Sequence, residues 1–255
     1  MKITVLTLFK EMYEGVLNSS IIKRIIDKGI VEIKLVDIRD YSKDKHHHVD
    51  DTPYGGMAGM LMKVDVVHSA LIANSTEKSY VMMTSPKAKP LQQADLERFA
   101  KMEDIVIVCG HYEGIDARFE RYIDQTVSIG DYILTGGELA SMVIIDGILR
   151  LLDEGISSDS LKEESYNDGL LEYPQYTRPF EYDGVKVPEV LASGNHEKIR
   201  LYNLKQSLKE TYLYRPELLK SRKFSKEETK LMKEIEEEIS KSENNPVKRR
   251  LKCYQ

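Results

Sequence analysis

Three glycine-dense loops carry the clearest chemistry in this sequence: Gly55-Gly56-Met57-Ala58-Gly59, Gly110-His111-Tyr112-Glu113-Gly114 and Gly130-Asp131-Tyr132-Ile133-Leu134-Thr135-Gly136-Gly137. Glycine takes positive φ and lets a ligand approach the main chain closely, at an entropic cost that a random loop would not repeatedly accept. Such loops point to a cofactor held mainly by backbone amides and carbonyls. The two common phosphate cradles do not account for them. A dinucleotide site would place G-x-G-x-x-G after the first strand with an acidic residue about 20 positions on, and a nucleotide hydrolase would carry a Walker A sequence; neither is present. His46-His47-His48 followed by Asp50-Asp51 has metal-ligating residue types. Adjacent histidines in one segment rarely converge on one ion, so no metal site is expected there.

The elements that must position these loops can be read from periodicity. Residues 3–9 alternate as a strand does, and Ile21, Ile22, Ile25 and Ile26 recur at helical spacing between a Ser19-Ser20 cap and Gly29. The alternation continues with a strand over Val31 to Ile38, a helix over Val64 to Ala73, a strand over Tyr80 to Thr84, and a helix from Leu91 to Met102 opened by Pro90. Ile105-Val106-Ile107-Val108-Cys109 is a continuous apolar run, which predicts a central parallel strand covered on both faces. An α/β layered sheet follows, with the later glycine loops after its later strands.

From Glu138 a long apolar helix runs through Leu152, and residues 153–168 are polar and without periodicity, which predicts a mobile interdomain linker. Helices are then expected over Asn195 to Leu208 and over Ser225 to Ser240. The second opens with a Ser225–Glu228 capping box and carries a Leu231, Ile235, Ile239 stripe. The division expected is 1–152 for the sheet domain, 153–168 for the linker, and 169–255 for a small all-helical domain ending in the basic tail Lys248-Arg249-Arg250-Leu251-Lys252.

At 255 residues the chain is long enough for one large domain or two ordinary ones. A net charge of −5 and a pI near 5.8 argue against a globally basic nucleic-acid coat, although local basic surfaces can still grip phosphates. Only Cys109 and Cys253 are present, so no disulfide framework or four-cysteine zinc site can form, and a reducing cytoplasm fits best. The first residues lack a signal peptide's apolar core, and no apolar run reaches the roughly 18 residues of a membrane span. A soluble protein with no membrane partner is expected.

Five segments, in order, resemble the signature segments of the bacterial tRNA (guanine-N1)-methyltransferases: residues 49–56 (VDDTPYGG), 109–116 (CGHYEGID), 128–139 (SIGDYILTGGEL), 169–179 (GLLEYPQYTRP) and 193–196 (SGNH). The resemblance runs from the first strand to about Leu219. It implies the SPOUT-type fold, an α/β domain whose C-terminal part threads into a deep trefoil knot, which no periodicity could reveal. It also implies a homodimer with active sites across the subunit interface and S-adenosylmethionine bound bent within the knot's loops. The substrate implied is tRNA, at the guanine immediately 3′ of the anticodon, position 37. Similarity in Mg²⁺ dependence implies an ion that is loosely held and largely hydrated, since no hard-cation cage is visible.

Guanine N1 carries a proton, so attack on a sulfonium methyl needs a base for that proton and positive charge near O6. The family's base begins an Asp-Ser-Phe segment matched here by Glu164-Ser165-Tyr166, which makes Glu164 the candidate base, beside Glu163 and Asp168. Arg150 matches the arginine that supports the guanine. Glu113 can accept hydrogen bonds from guanine N1–H and the exocyclic amine, and adenine would leave that acceptor poorly satisfied. Thr84, Ser85, Pro86, Gly110, Tyr112, Gly114, Ser128, Ile129, Gly130, Tyr132, Leu134, Gly136 and Gly137 match positions that hold adenine, ribose and methionine through main-chain groups. Asp50 would help position the guanine or the linker across the dimer, and Tyr112 is a further candidate on the guanine side. Arg178 and His196, with Arg200, Lys205 and Lys209, supply positive charge for tRNA. Three departures stand out: Met57 for a third glycine, Ala88-Lys89 for Gly-Arg, and Tyr202 for a tryptophan. Methionine and alanine cannot take positive φ as cheaply as glycine, so the first two bear on loop geometry.

Overall fold

The computed structural model describes residues 1–152, 169–220 and 222–243, and the chain divides into two compact units, Met1–Ser157 and Ser158–Gln255. In the first, five parallel strands form one sheet: β1 (Lys2–Thr7), β2 (Glu32–Asp37), β5 (Tyr80–Thr84), β6 (Asp104–Val108) and β7 (Gln125–Val127), in the order β2-β1-β6-β5-β7. β6 is the central strand, pairing Ile105 with Ile3 on one side and Tyr80 on the other. Its unbroken apolar run has the expected cause, because both faces are covered. Ile105 and Ile107 point into a core with Ile3, Val5, Met82 and Phe99, while Val106 and Val108 join Leu6, Val81, Met83 and Phe119 on the opposite face. The period of two along each strand sorts its residues between these cores.

The helices follow from the same logic. α1 (Glu14–Leu17), α2 (Ser20–Asp27), α4 (Gln93–Phe99) and α5 (Glu138–Leu149) supply residues to the first core, and α3 (Val64–Asn74) supplies Val66, Val67, Ala70 and Leu71 to the second. α5 buries Ile144, Ile145, Ile148 and Leu149 completely. Each contributes about 1.5–3 kcal/mol relative to an exposed side chain. A short antiparallel pair, β3 (Asp50–Asp51) with β4 (Leu61–Met62), brackets the first glycine loop.

Several boundaries differ from expectation for local reasons. Pro90 does not open α4: it forms an isolated bridge to Ser128, and the helix starts after Gln92, whose N–H donates to the Asp95 carboxylate at 3.1 Å. Ser19 precedes α2 without a side-chain cap bond. α5 ends at Leu149 rather than Leu152. β7 and the β3–β4 pair are too short for periodicity to reveal.

The second unit is not the all-helical domain expected: it contains the hairpin β8 (Glu181–Tyr182) and β9 (Val185–Lys186), whose two-residue strands are too short for periodicity to reveal, then α6 (His196–Tyr214) and α7 (Lys226–Glu243). Asn195 caps α6 by accepting the Lys198 N–H at 3.1 Å. The capping box of α7 forms as expected: Ser225 N–H donates to Glu228 at 2.7 Å and Glu228 N–H donates to Ser225 Oγ at 3.1 Å. Leu170, Leu208, Leu231 and Ile235 make its small core, with Ile239 at the edge. The linker expected over 153–168 and the basic tail lie outside the described residues. No helix of the described residues is long and apolar enough to cross a membrane.

Candidate active site

The carboxyl ends of β5, β6 and β7 open into one cleft of about 440 Å³, within the range of ligand sites. The loop after β5 brings Thr84, Ser85 and Pro86; the loop after β6 brings Gly110 to Ile115; the loop after β7 brings Ser128 to Gly130 and Tyr132 to Gly137. Every residue matched to donor binding lines this one cavity, at the place where an open parallel sheet holds its ligand. The loops are laced together by main chain. Ser85 N–H donates to Val127 O at 2.9 Å, Leu91 N–H to Ser128 O at 2.8 Å, and Gly137 N–H to Gly110 O at 2.8 Å, with His111 bridged to Gly136.

The glycine at 137 is required by close approach. A Cβ there would strike Thr84 Oγ1 and lie 3.0 Å from Cys109 Cα and 3.1 Å from the Gly110 nitrogen. Gly114 and Gly130 take φ of 116° and 151°. Tyr112, in contrast, takes φ +56° despite its side chain, in a region costly to any residue but glycine. The cavity therefore presents bare backbone, as a ligand read through amides and carbonyls needs.

The first glycine loop is not part of this lining, a correction to the reading of three equivalent loops. It leads into a strand that holds the second loop from the side. Met62 N–H donates to Gly114 O at 2.9 Å and Glu113 N–H to Met60 O at 3.1 Å. Glu113 Oε2 accepts the Met60 N–H at 2.7 Å, and Gly59 leaves no room for a Cβ against that carboxylate. Glu113 thus stands at the cleft with one oxygen committed to the fold. Neither Met57 nor Ala88 is among the described residues with positive φ, so these departures from glycine bring no backbone strain.

Below the cleft lies a buried polar network that sequence reasoning missed. Tyr13 Oη is 2.5 Å from Ser141 Oγ and 3.4 Å from Cys109 Sγ, and Thr7 Oγ1 donates to Glu138 Oε1 at 2.8 Å. Burial, with the nearby Glu138 charge adding to it, holds the Cys109 thiol up to about 12. Cys109 is therefore no nucleophile at neutral pH. The only sequence signal was an acidic residue directly after Gly136-Gly137.

Other candidates fall elsewhere. Asp50 sits in β3 opposite Met62, and Arg150 is the C-cap of α5; neither lines the cleft. Glu164 lies outside the described residues. Arg178 and His196 are exposed residues of the second unit. Arg200, Lys205 and Lys209 are already paired within that unit: Arg200 with Glu197 and Glu227, Lys205 with Glu234 and Glu238, Lys209 with Glu238, at 2.8–3.3 Å. Tyr202 is set against Tyr176, with burial and that neighbour raising its phenol above the ordinary range. The histidine run builds a turn, in which Asp44 accepts the His46 and His48 N–H groups at 3.1 Å and meets the His48 ring. Among the described residues no group of three or more His, Cys, Asp or Glu is placed to hold a metal.

A parallel α/β sheet whose strand ends open into a cavity lined by glycine loops, with a carboxylate at its edge, is the arrangement of an α/β ligand-binding domain. Comparison with known proteins narrows that class. The family model described as tRNA (Guanine-1)-methyltransferase TrmD matches residues 1–221. The chain is 51% identical over 235 residues to a tRNA (guanine-N(1)-)-methyltransferase of Carboxydothermus hydrogenoformans, covering 91% of this chain and 92% of that one. It is 49% identical over 239 residues to that of Fusobacterium nucleatum (93% and 99% covered), and 44% identical over 240 residues to that of Dictyoglomus turgidum (94% and 98% covered). The chain belongs to the tRNA (guanine-N1)-methyltransferase family, enzymes that use S-adenosylmethionine.

Proposed function

We propose that this protein methylates N1 of the guanine immediately 3′ of the anticodon, position 37, working as a homodimer with a trefoil knot around the cleft. The observation that carries the reading is the cleft itself: the matched loops converge there, and Gly137 leaves the bare backbone that a donor read by amides requires. When bound, S-adenosylmethionine supplies an electrophilic methyl on a sulfonium. Thr84 to Pro86, Gly110, Tyr112, Gly114, Ser128 to Gly130, Tyr132, Leu134, Gly136 and Gly137 would hold it.

The chain's own groups serve the guanine. Glu113, with Oε2 fixed by Met60, offers Oε1 to the N1–H edge and exocyclic amine. Arg150 places positive charge near O6, Glu164 takes the N1 proton, and Asp50 positions the base or the linker. Domain 169–255 carries the tRNA through Arg178 and His196, and any Mg²⁺ is held through water. Leu139 and Val143, four residues apart on α5, are 48% and 50% exposed; an apolar face of this kind on a buried-core helix supports a subunit contact.

The deciding experiment incubates the protein with labelled S-adenosylmethionine and unmodified tRNA carrying guanine or adenine after the anticodon, then maps the methyl. Label on N1 of the guanine alone is expected, and label on another atom or on adenine overturns the reading. Glu164→Gln should lower single-turnover methylation by about 10²-fold or more. Near-normal turnover would move the base to Glu163 or Asp168.

A further inference from the structure

Glu138, the first residue of α5, is a carboxylate only 2% exposed, directly beneath the donor cleft. Burying such a group is unfavourable unless partners meet its charge. Thr7, at the end of β1, donates its hydroxyl proton to Oε1, and the amino end of α5 turns its positive dipole toward the residue. The third neighbour is His111, whose Nδ1 stands 3.9 Å from Oε2. Nδ1 is itself buried and has no hydrogen-bond partner. Gly136 passes alongside both, and a Cβ there would strike Glu138 Oε2 and His111 Nδ1 together. The glycine thus clears the line between carboxylate and ring.

His111 in turn lines the cleft. Its ring meets Tyr112 edge-on at 4.9 Å and packs on Phe9 at 5.0 Å, while the His111 backbone N–H donates to Met62 Sδ. Tyr112 is the cleft residue that holds positive φ without being glycine, so it needs support from its surroundings. The chain Thr7, Glu138, His111, Tyr112 links the end of the central sheet to that strained backbone.

We propose that Glu138 is a positioning residue for methyl transfer: its buried carboxylate fixes the Nδ1–H tautomer of His111 and, through that ring, holds the Tyr112 loop in its donor-binding form. At 3.9 Å the buried charge already favours the ring form whose proton faces it, and the separation closes to a hydrogen bond when the loop tightens on the donor, as catalytic contacts commonly do. The proposal rests on the reading that this cleft takes S-adenosylmethionine, and it assigns the pair to donor binding rather than to the proton taken from guanine.

The test combines donor calorimetry with ¹⁵N NMR of the histidine rings, assigning His111 by its loss in His111→Gln. Glu138→Gln keeps the volume and an acceptor for Thr7 but removes the charge. It should weaken S-adenosylmethionine binding by about tenfold, the scale of a lost charge-assisted hydrogen bond, and move His111 from the Nδ1–H toward the Nε2–H form. The donor KM should rise more than kcat falls. Wild-type donor affinity in Glu138→Gln, or an unchanged His111 tautomer, overturns the proposal. If the wild type binds no donor, the reading of the cleft fails instead, while the tautomer shift still reports on the pair. Should Glu138→Gln not fold, Thr7→Val and His111→Gln carry the test: each should weaken donor binding, and their combination should be no worse than His111→Gln alone. Additive losses would show that Thr7 and Glu138 do not act through the ring.

Discussion

Single atoms decide what this cleft can hold. Gly137 is crowded by the Cys109–Gly110 backbone, and Cys109 Cα and the Gly110 nitrogen cannot swing away as a side chain could. Gly137→Ala should therefore cost about 1–3 kcal/mol of stability and widen the seam between the loops after β6 and β7. Thermal melts with and without S-adenosylmethionine check both parts: a lower melting temperature and a much smaller donor-induced shift are expected. A fully retained shift would show that the seam does not shape the donor site. Glu113 lines the cleft while one of its carboxylate oxygens ties the second glycine loop to Met60. From the letters alone the structural half of that role was hidden, because Met60 lies 53 positions away.

Elements in the second unit are joined by charge as much as by apolar contact. α7 lays Glu227, Glu234 and Glu238 against Arg200, Lys205 and Lys209 of α6, over a core of few residues. The Lys205 ammonium lowers the carboxyls of Glu234 and Glu238. Burial pushes Glu228 up, but the Ser225 N–H and hydroxyl and the Arg222 guanidinium outweigh it and bring it below the ordinary range. A carboxylate with a folded pKa below its unfolded value adds stability above the unfolded pKa, near 4.3, and loses it as pH falls through the folded value. Hydrogen exchange over 226–243, corrected for intrinsic rate, should thus show α7 protected at neutral pH and released below the ordinary carboxylate range. Lys205→Gln should loosen α7 at pH 7 and leave the log–log salt slope of tRNA binding unchanged. A slope smaller by about one would return Lys205 to the phosphate-contacting role that its charge first suggested.

For the whole molecule, the sheet is legible and the assembly is a matter of exposed surface. Val143, half exposed on a helix whose other face is fully buried, offers the sharpest probe of the proposed homodimer. Val143→Glu should place a desolvated charge in the contact, shifting sedimentation from dimer toward monomer and lowering methylation in parallel. An unchanged dimer would place the interface elsewhere on the surface.

Periodicity by itself determined the alternation of strands and helices, because burial on both faces of β6 writes a continuous apolar run, and the capping box of α7 is a local bond between residues three apart. The glycine motifs likewise marked the loops after β6 and β7 that line the cleft. Tertiary structure alone decided that two of the three glycine loops line the cleft while the third braces it, that the cations of α6 face carboxylates of α7, and that Glu138 meets Thr7 and His111. The physical reason is sequence separation. Thr7 and Glu138 lie 131 positions apart, and contacts of that range arise from sheet order and loop crossing, which no local pattern encodes.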